Sequence, residues 1–160
     1  RGSFALHRGL SELEMEELFQ LRSYLEQGRY NDTLALIGEM EEMSRDDKIN
    51  EIESFLDILR IHLIKKHLEK RLTRSWENSI TNAVDMIHRS NKRRKAGGFY
   101  LSRDELAEAI DESWNIALGR ASYEASEGGY EKPELEKMID HKQIKNEALK
   151  LITESMTSEN

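Results

Sequence analysis

The sequence contains no cysteine and a single proline, Pro133, among its 160 residues. The absence of cysteine excludes disulfides, thiolate metal sites and a cysteine nucleophile, and it fits the reducing cytoplasm in which we expect the protein to reside. Because proline ends or kinks helices, its scarcity favours long uninterrupted helices. No apolar run approaches the roughly 18 residues that cross a membrane, so we expect no membrane partner.

Apolar residues recur at helical spacing along most of the chain, and no alternating run indicates a strand. The pattern predicts an all-α fold, a single bundle of five or six helices over residues 10–153. At its centre we expect a long helix over 46–72, which no glycine or proline interrupts. Residues 1–9 begin Arg-Gly-Ser and are interpreted as a tag or cloning remnant, and residues 154–160 are expected to fray.

Capping residues and glycines predict where the first helices begin and end. Gly28 is a suitable left-handed terminator for the first helix. Asn31 or Asp32 is expected to cap a second, shorter helix. Ser44 and Asp47 then predict a new start, from which the long central helix runs.

Similar signals divide the rest of the chain. Capping boxes at 11–14 and 102–105 predict two helix starts, and the helix that begins at 102–105 is expected to run on through Leu118. Pro133 suits the first turn of a short helix, and Asp140 is expected to cap the terminal helix. Two tryptophans fall on the apolar faces of predicted helices and are predicted to anchor the core: Trp76 and Trp114.

Charge is distributed unevenly along the chain. Residues 60–95 contain eleven basic and three acidic residues, a net charge of +8, whereas the remainder carries −15 of the total of −7. A basic segment of this kind attracts an anionic partner such as nucleic acid. Alternatively, the acidic flanks fold against it and neutralise it, which the acidic overall balance favours.

The basic residues best placed to contact an anion or a partner lie on either side of the fourth predicted helix, which follows Thr73. A basic run followed by Gly97 and Gly98 is the clearest loop in the chain, and Arg74 precedes Trp76 at the start of the helix. A solvated loop and a structural role for Arg74 are the alternative interpretations. The candidate contact residues are Arg74, Lys92, Arg93, Arg94 and Lys95.

Several segments occur in an order that resembles a known family. They are Leu-Arg-Ser-Tyr-Leu-Glu-Gln-Gly-Arg-Tyr at 21–30, Leu-Ile-Gly-Glu-Met-Glu-Glu-Met at 36–43, His-Leu-Ile-Lys at 62–65, Arg-Ser-Trp at 74–76 and the basic run at 91–98. Over residues 17–152 the chain is similar to the bacterial, chiefly cyanobacterial family called domain of unknown function 29. The resemblance implies a small helical fold and supplies no reaction. Lys66 departs from the tryptophan that many relatives have there.

One catalytic hypothesis comes from the spacing of an arginine and a histidine. Some helical ribonucleases use an arginine followed after four to six residues by a histidine. Arg60 and His67 fit this pattern, and seven residues apart they share a helix face. The arginine would stabilise a phosphorane oxyanion and the histidine would transfer a proton. The spacing also arises by chance, since Arg1 and His7 fit it too.

No complete catalytic set, metal-ligand spacing or cofactor motif accompanies this pair, so we expect no metal and no cofactor. The sequence favours a non-enzymatic interaction or regulatory protein that uses helix faces to bind a partner protein or itself. The alternative is a nucleic-acid-binding or RNA-cleaving protein of a toxin–antitoxin or defence type, which would use residues 60–95.

Overall fold

A computed structural model of the protein describes residues 12–93 and 97–157, which form seven α-helices and no strand. The all-α prediction is confirmed, with one or two helices more than expected. The predicted remnant at 1–9, Ser11 of the first capping box, Arg94, Lys95 and the last three residues lie outside the described residues. The helices are α1 (Glu12–Glu26), α2 (Tyr30–Glu69), α3 (Arg74–Asn91), α4 (Arg103–Glu112), α5 (Trp114–Glu124), α6 (Lys132–Met138) and α7 (His141–Thr157).

The chain divides into two compact units, with the boundary between Asp46 and Asp47 inside α2. The hydrophobic core belongs to the second unit, where the predicted central helix supplies its largest share. Every helix of this unit contributes at least one buried apolar side chain, as expected for a helical bundle built around one core. Representative core residues are Leu56, Leu59, Ile64, Ile87, Leu106, Ile110, Leu118, Leu135, Ile144 and Ile152.

The helix α2 is longer than predicted. The expected short second helix and the new start at Ser44 and Asp47 are wrong, because one helix continues from Tyr30 to Glu69. Capping residues favour a start only where the preceding helix has ended, and no glycine or proline ends it between 39 and 69. At its end, Lys70 adopts a left-handed backbone with φ 53°, so the helix stops three residues before the predicted end at 72.

The predicted termination at Gly28 is confirmed. Gly28 has φ 73°, its amide donates to the carbonyl of Leu25 at 3.1 Å, and the amide of Arg29 donates to the carbonyl of Tyr24 at 2.8 Å. These two bonds form a Schellman motif, which satisfies carbonyls that the end of α1 leaves unpaired. The next helix starts only two residues after this glycine.

The capping box at 102–105 is confirmed, but its helix ends much earlier than predicted. The helix is interrupted at Ser113, which separates α4 from α5, so the prediction of a single helix through Leu118 is wrong. The later signals hold, because Pro133 lies in the first turn of α6 and Asp140 accepts hydrogen bonds from the first amides of α7. The reason for the break lies in a side chain of α2, described below.

Candidate functional site

Exposed apolar side chains concentrate in the N-terminal unit. Of eleven large apolar side chains that are exposed in the described part of the chain, seven lie between Met15 and Met43. Among the side chains described from 12 to 46, only Thr33 and Leu36 are buried. A unit that buries so little of its apolar surface presents the rest to solvent, and clustered exposed apolar residues mark interaction surfaces.

Four of these residues form a stripe along α1. Met15, Leu18, Phe19 and Leu25 are three, four and seven residues apart, so they share one side of the helix. Their exposed fractions run from 37% at Leu18 to 63% at Phe19. Arg22 lies on the same side and pairs with Glu26 at 3.2 Å. We call these four apolar residues the α1 stripe.

The start of α2 adds a second exposed apolar pair. Tyr30 and Leu34 lie four residues apart and are each 66% exposed. The side chains of Ile37 and Met40, further along the helix, are half-buried. Both helices of the N-terminal unit therefore carry apolar side chains that its own packing leaves in water.

The N-terminal unit is also strongly acidic. Residues 12–46 contain ten acidic and three basic residues. Two of the three arginines already have local partners, since Arg22 pairs with Glu26 and Arg29 with Asp32 at 2.8 Å. Most of the carboxylates of this unit therefore have no cation partner among the residues that the structure describes, and the exposed apolar side chains lie among negative charges.

The basic segment is partly neutralised by acidic residues from the C-terminal half, as one of the two interpretations expected. Lys65 lies 3.4 Å from Glu124, and Lys66 lies 3.0 Å from Glu147. Other cations of the segment remain exposed. Arg74 and Arg89 are exposed and have no carboxylate partner among the residues that the structure describes.

The candidate anion-contact residues do not lie together. Arg74 begins α3, whereas Lys92 and Arg93 follow its end, about 27 Å away at about 1.5 Å per residue. Arg93 lies over the ring of Tyr100, with its guanidinium carbon 5.7 Å from the ring centre. The remaining two candidates, at 94 and 95, lie outside the described residues.

The basic loop is closed at its neck. Lys92 and Phe99 form an isolated antiparallel bridge, and the amide of Arg93 donates to the carbonyl of Gly98 at 3.0 Å. Behind the bridge, the buried side chain of Asn91 donates to the carbonyl of Leu101 and accepts from its amide. The ends of this loop are thus held together by backbone and side-chain bonds.

Arg60 is buried, with 1% of its side chain exposed, and its guanidinium holds the end of α4. It donates to the carbonyls of Ala109 at 3.2 Å and Ile110 at 2.6 Å, to Ser113 Oγ at 3.0 Å, and to Asp57. Burial lowers the pKa of Arg60, although Asp57 acts in the opposite direction. Carbonyls at the end of α4 are satisfied by this cation, which explains why the chain breaks at Ser113.

His67 has different surroundings from Arg60. Its Nε2 lies 3.2 Å from a carboxylate oxygen of Glu147 on α7, which also accepts from Lys66. Burial by itself raises the pKa of Glu147, but the hydrogen bonds from Lys66 and His67 outweigh it and hold this pKa below its usual value of 4.5. Lys66 and Glu147 border a cleft of about 360 Å³ between α2, α3 and α7, which Leu72 and Ile80 also line.

The partners of Arg60 and His67 bear on the ribonuclease hypothesis. The guanidinium of Arg60 reaches α4 and Ser113, whereas the imidazole of His67 reaches α7. The two side chains share a helix but not a set of partners. The hypothesis stays a prediction, and in it a phosphate would compete with protein groups already bonded to Arg60.

The two tryptophans occupy different environments. Trp114 packs half-buried against the core and stacks on His141, with ring centres 3.9 Å apart and planes 10° apart. Trp76 is also half-buried, and the cations of Lys65 and Arg71 lie 5.3 and 5.2 Å from its ring centre. At these distances both cations are attracted to the face of the indole.

Two further features bear on the site. Among the side chains that the structure describes, no group of three or more His, Asp or Glu residues is placed to hold a metal ion. No helix in the described ranges is long and apolar enough to cross a membrane.

Comparisons with known proteins bear on the family. The family model described as "Domain of unknown function DUF29" matches residues 14–149. No curated protein and no solved structure matches the chain. The matched range includes residues 14–46 of the N-terminal unit and residues 47–149 of the second unit.

Proposed function

The chain belongs to the family described as Domain of unknown function DUF29, and we propose that it is a non-enzymatic interaction module that binds a partner protein through its N-terminal unit. The α1 stripe carries this proposal, because its four apolar side chains are exposed on one side of a helix. The hydrophobic core lies in the second unit, so the α1 stripe is not needed to build it.

The exposed apolar side chains of the N-terminal unit are of the types that interfaces favour. Phenylalanine, tyrosine, methionine and arginine are enriched where proteins bind one another, and the unit exposes Phe19, Tyr30, Met15 and Met43. Burying one such side chain on binding is favourable by about 1.5–3 kcal/mol. A few of them suffice for specific recognition of a partner.

Site-specific photocrosslinking in the cells from which the protein comes tests the proposal. A photoreactive residue at Phe19 is expected to give a discrete adduct with a partner protein. Ile116 offers a matched control in the second unit, because it is 62% exposed against 63% at Phe19. Adducts at both positions in equal amount, or at neither, would contradict the proposal.

The second candidate is nucleic-acid binding, with RNA cleavage as its enzymatic form. It is supported by the exposed cations Arg74, Arg89 and Arg93, none of which has a carboxylate partner in the part of the chain that the structure describes. A salt-dependent gel shift with generic RNA would support it. Its weakness is that these cations are spread along α3, so they give no compact basic patch.

A further inference from the structure

We infer that the occupant of the N-terminal unit is a basic amphipathic helix of another protein. This inference rests on the proposed function, and it adds the chemistry of the partner. Two properties of the surface carry it: the spacing of the exposed apolar residues and the sign of the charge that surrounds them.

The spacing of the α1 stripe matches helical recognition. From Met15 to Leu25 the stripe extends about 15 Å, at about 1.5 Å per residue, which is nearly three helical turns. A helix laid along such a stripe presents anchors at the same three-, four- and seven-residue steps. Tyr30 and Leu34 on α2 repeat this spacing, so the unit carries apolar anchors on two helices.

The charge around the anchors selects a basic partner. Glu12 and Glu16 precede Phe19 by seven and three residues, so they border the stripe on the same side of α1. Glu41 follows Leu34 by seven residues and borders the anchors of α2 in the same way. All three carboxylates are exposed, and none has a cation partner within the described ranges 12–93 and 97–157.

The same charge argues against a second copy as the occupant. Residues 12–46 carry a net charge of −7, so self-association through this unit would place −7 against −7. Like charges opposed across an interface are unfavourable, whereas a lysine-rich helix gains attraction and a faster encounter. Arg22 is the only basic residue of α1, and its side chain is already paired with Glu26.

Two synthetic peptides of about 18 residues, long enough to form a helix on binding, provide the test. One carries leucine on one face and lysine on the other, and its counterpart has glutamate in place of lysine. The lysine peptide is expected to bind the full-length protein in a fluorescence anisotropy titration, and the glutamate peptide is not. Raising salt from about 0.05 to about 0.5 M is expected to weaken binding, because screening removes the charge attraction.

Variants locate the binding surface. The double substitution Leu18→Ser with Phe19→Ser removes two anchors and is expected to weaken binding by about 10-fold or more. Ile116→Ser removes an equally exposed apolar side chain from the second unit and is expected to leave binding unchanged. Both substitutions are at exposed positions, and circular dichroism checks that each variant keeps its helices.

Three outcomes would overturn the inference. They are equal binding of both peptides, equal weakening by Ile116→Ser, and self-association that strengthens with salt and requires Phe19, which would assign the surface to a second copy. A crosslinked partner at Phe19 whose contacting segment is not basic would leave the proposed function standing and overturn only this inference.

Discussion

Replacing Arg60 by methionine is expected to destabilise the protein by about 3 kcal/mol, because buried ionic hydrogen bonds are lost together. The guanidinium is 1% exposed and donates to two carbonyls at the end of α4, to Ser113 and to Asp57. Methionine fills the space of the arginine stem but ends at the position of Nε, so it reaches none of the acceptors of the guanidinium. It leaves the carbonyl of Ile110 without its side-chain donor, whereas the carbonyl of Ala109 keeps the hydroxyl of Ser113.

The expected loss of about 3 kcal/mol for Arg60→Met is the balance of opposing contributions to the free energy of unfolding. Each hydrogen bond from a charged group contributes about 1.5–3 kcal/mol, and burying the cation takes back several kcal/mol. Removing one partner of a buried pair typically costs about 3–5 kcal/mol. Asp57 retains 29% exposure, so water can solvate it after the substitution, and the lower end of that range applies.

Urea denaturation followed by circular dichroism measures this effect. Arg89→Met is the matched control, because Arg89 is exposed and its loss is expected to change the free energy of unfolding by less than about 0.5 kcal/mol. Arg60→Lys is expected to recover only part of the stability, since a single ammonium group cannot span the acceptors that the planar guanidinium reaches. A loss below about 0.5 kcal/mol for Arg60→Met would refute the role assigned to this cation.

Two further substitutions test other contacts of the second unit. Glu147→Gln is expected to lower stability at neutral pH by about 1 kcal/mol, as it removes the charge that Lys66 and His67 contact. The pKa of Glu147 is lower in the folded protein than in the unfolded chain, so the wild type keeps this contribution above pH 4.5 and loses it as the pH falls through the folded-state pKa. The variant is expected to lose less stability in acid, which urea titrations at several pH values would measure. Asn91→Asp is expected to cost about 1–3 kcal/mol, because a carboxylate cannot donate to the carbonyl of Leu101; equal urea midpoints for this variant and the wild type would contradict that role.

Local signals in the sequence predicted the features that depend on neighbouring residues. Gly28, Thr73 and Pro133 act at the positions where short-range backbone rules place them. The break at Ser113 depends instead on Arg60, about fifty residues earlier in the chain. No local pattern around Ser113 announces that contact, so the sequence predicted one helix where there are two.

The exposure of the α1 stripe could not be predicted from its helical spacing either. Leu18 and Leu25 have helical spacing, which indicates an apolar face without telling whether the protein itself covers that face. The dense acidic residues between 12 and 46 were the available signal, because charge crowded beside an apolar stripe is unusual for a helix at the centre of a core. The basic segment has a net charge of +8, although Lys65 and Lys66 are paired within the fold.

Because the bridge between Lys92 and Phe99 closes the neck of the basic loop, we expect the chain to tolerate an insertion between positions 94 and 95. The bridge between Lys92 and Phe99 fixes the separation of the loop ends, so added residues do not change where α3 ends or α4 begins. Doubling the length of a flexible loop costs only about 0.6 kcal/mol in closure entropy. We therefore expect a reporter peptide placed between positions 94 and 95 to leave the fold of the second unit unchanged, which circular dichroism would check.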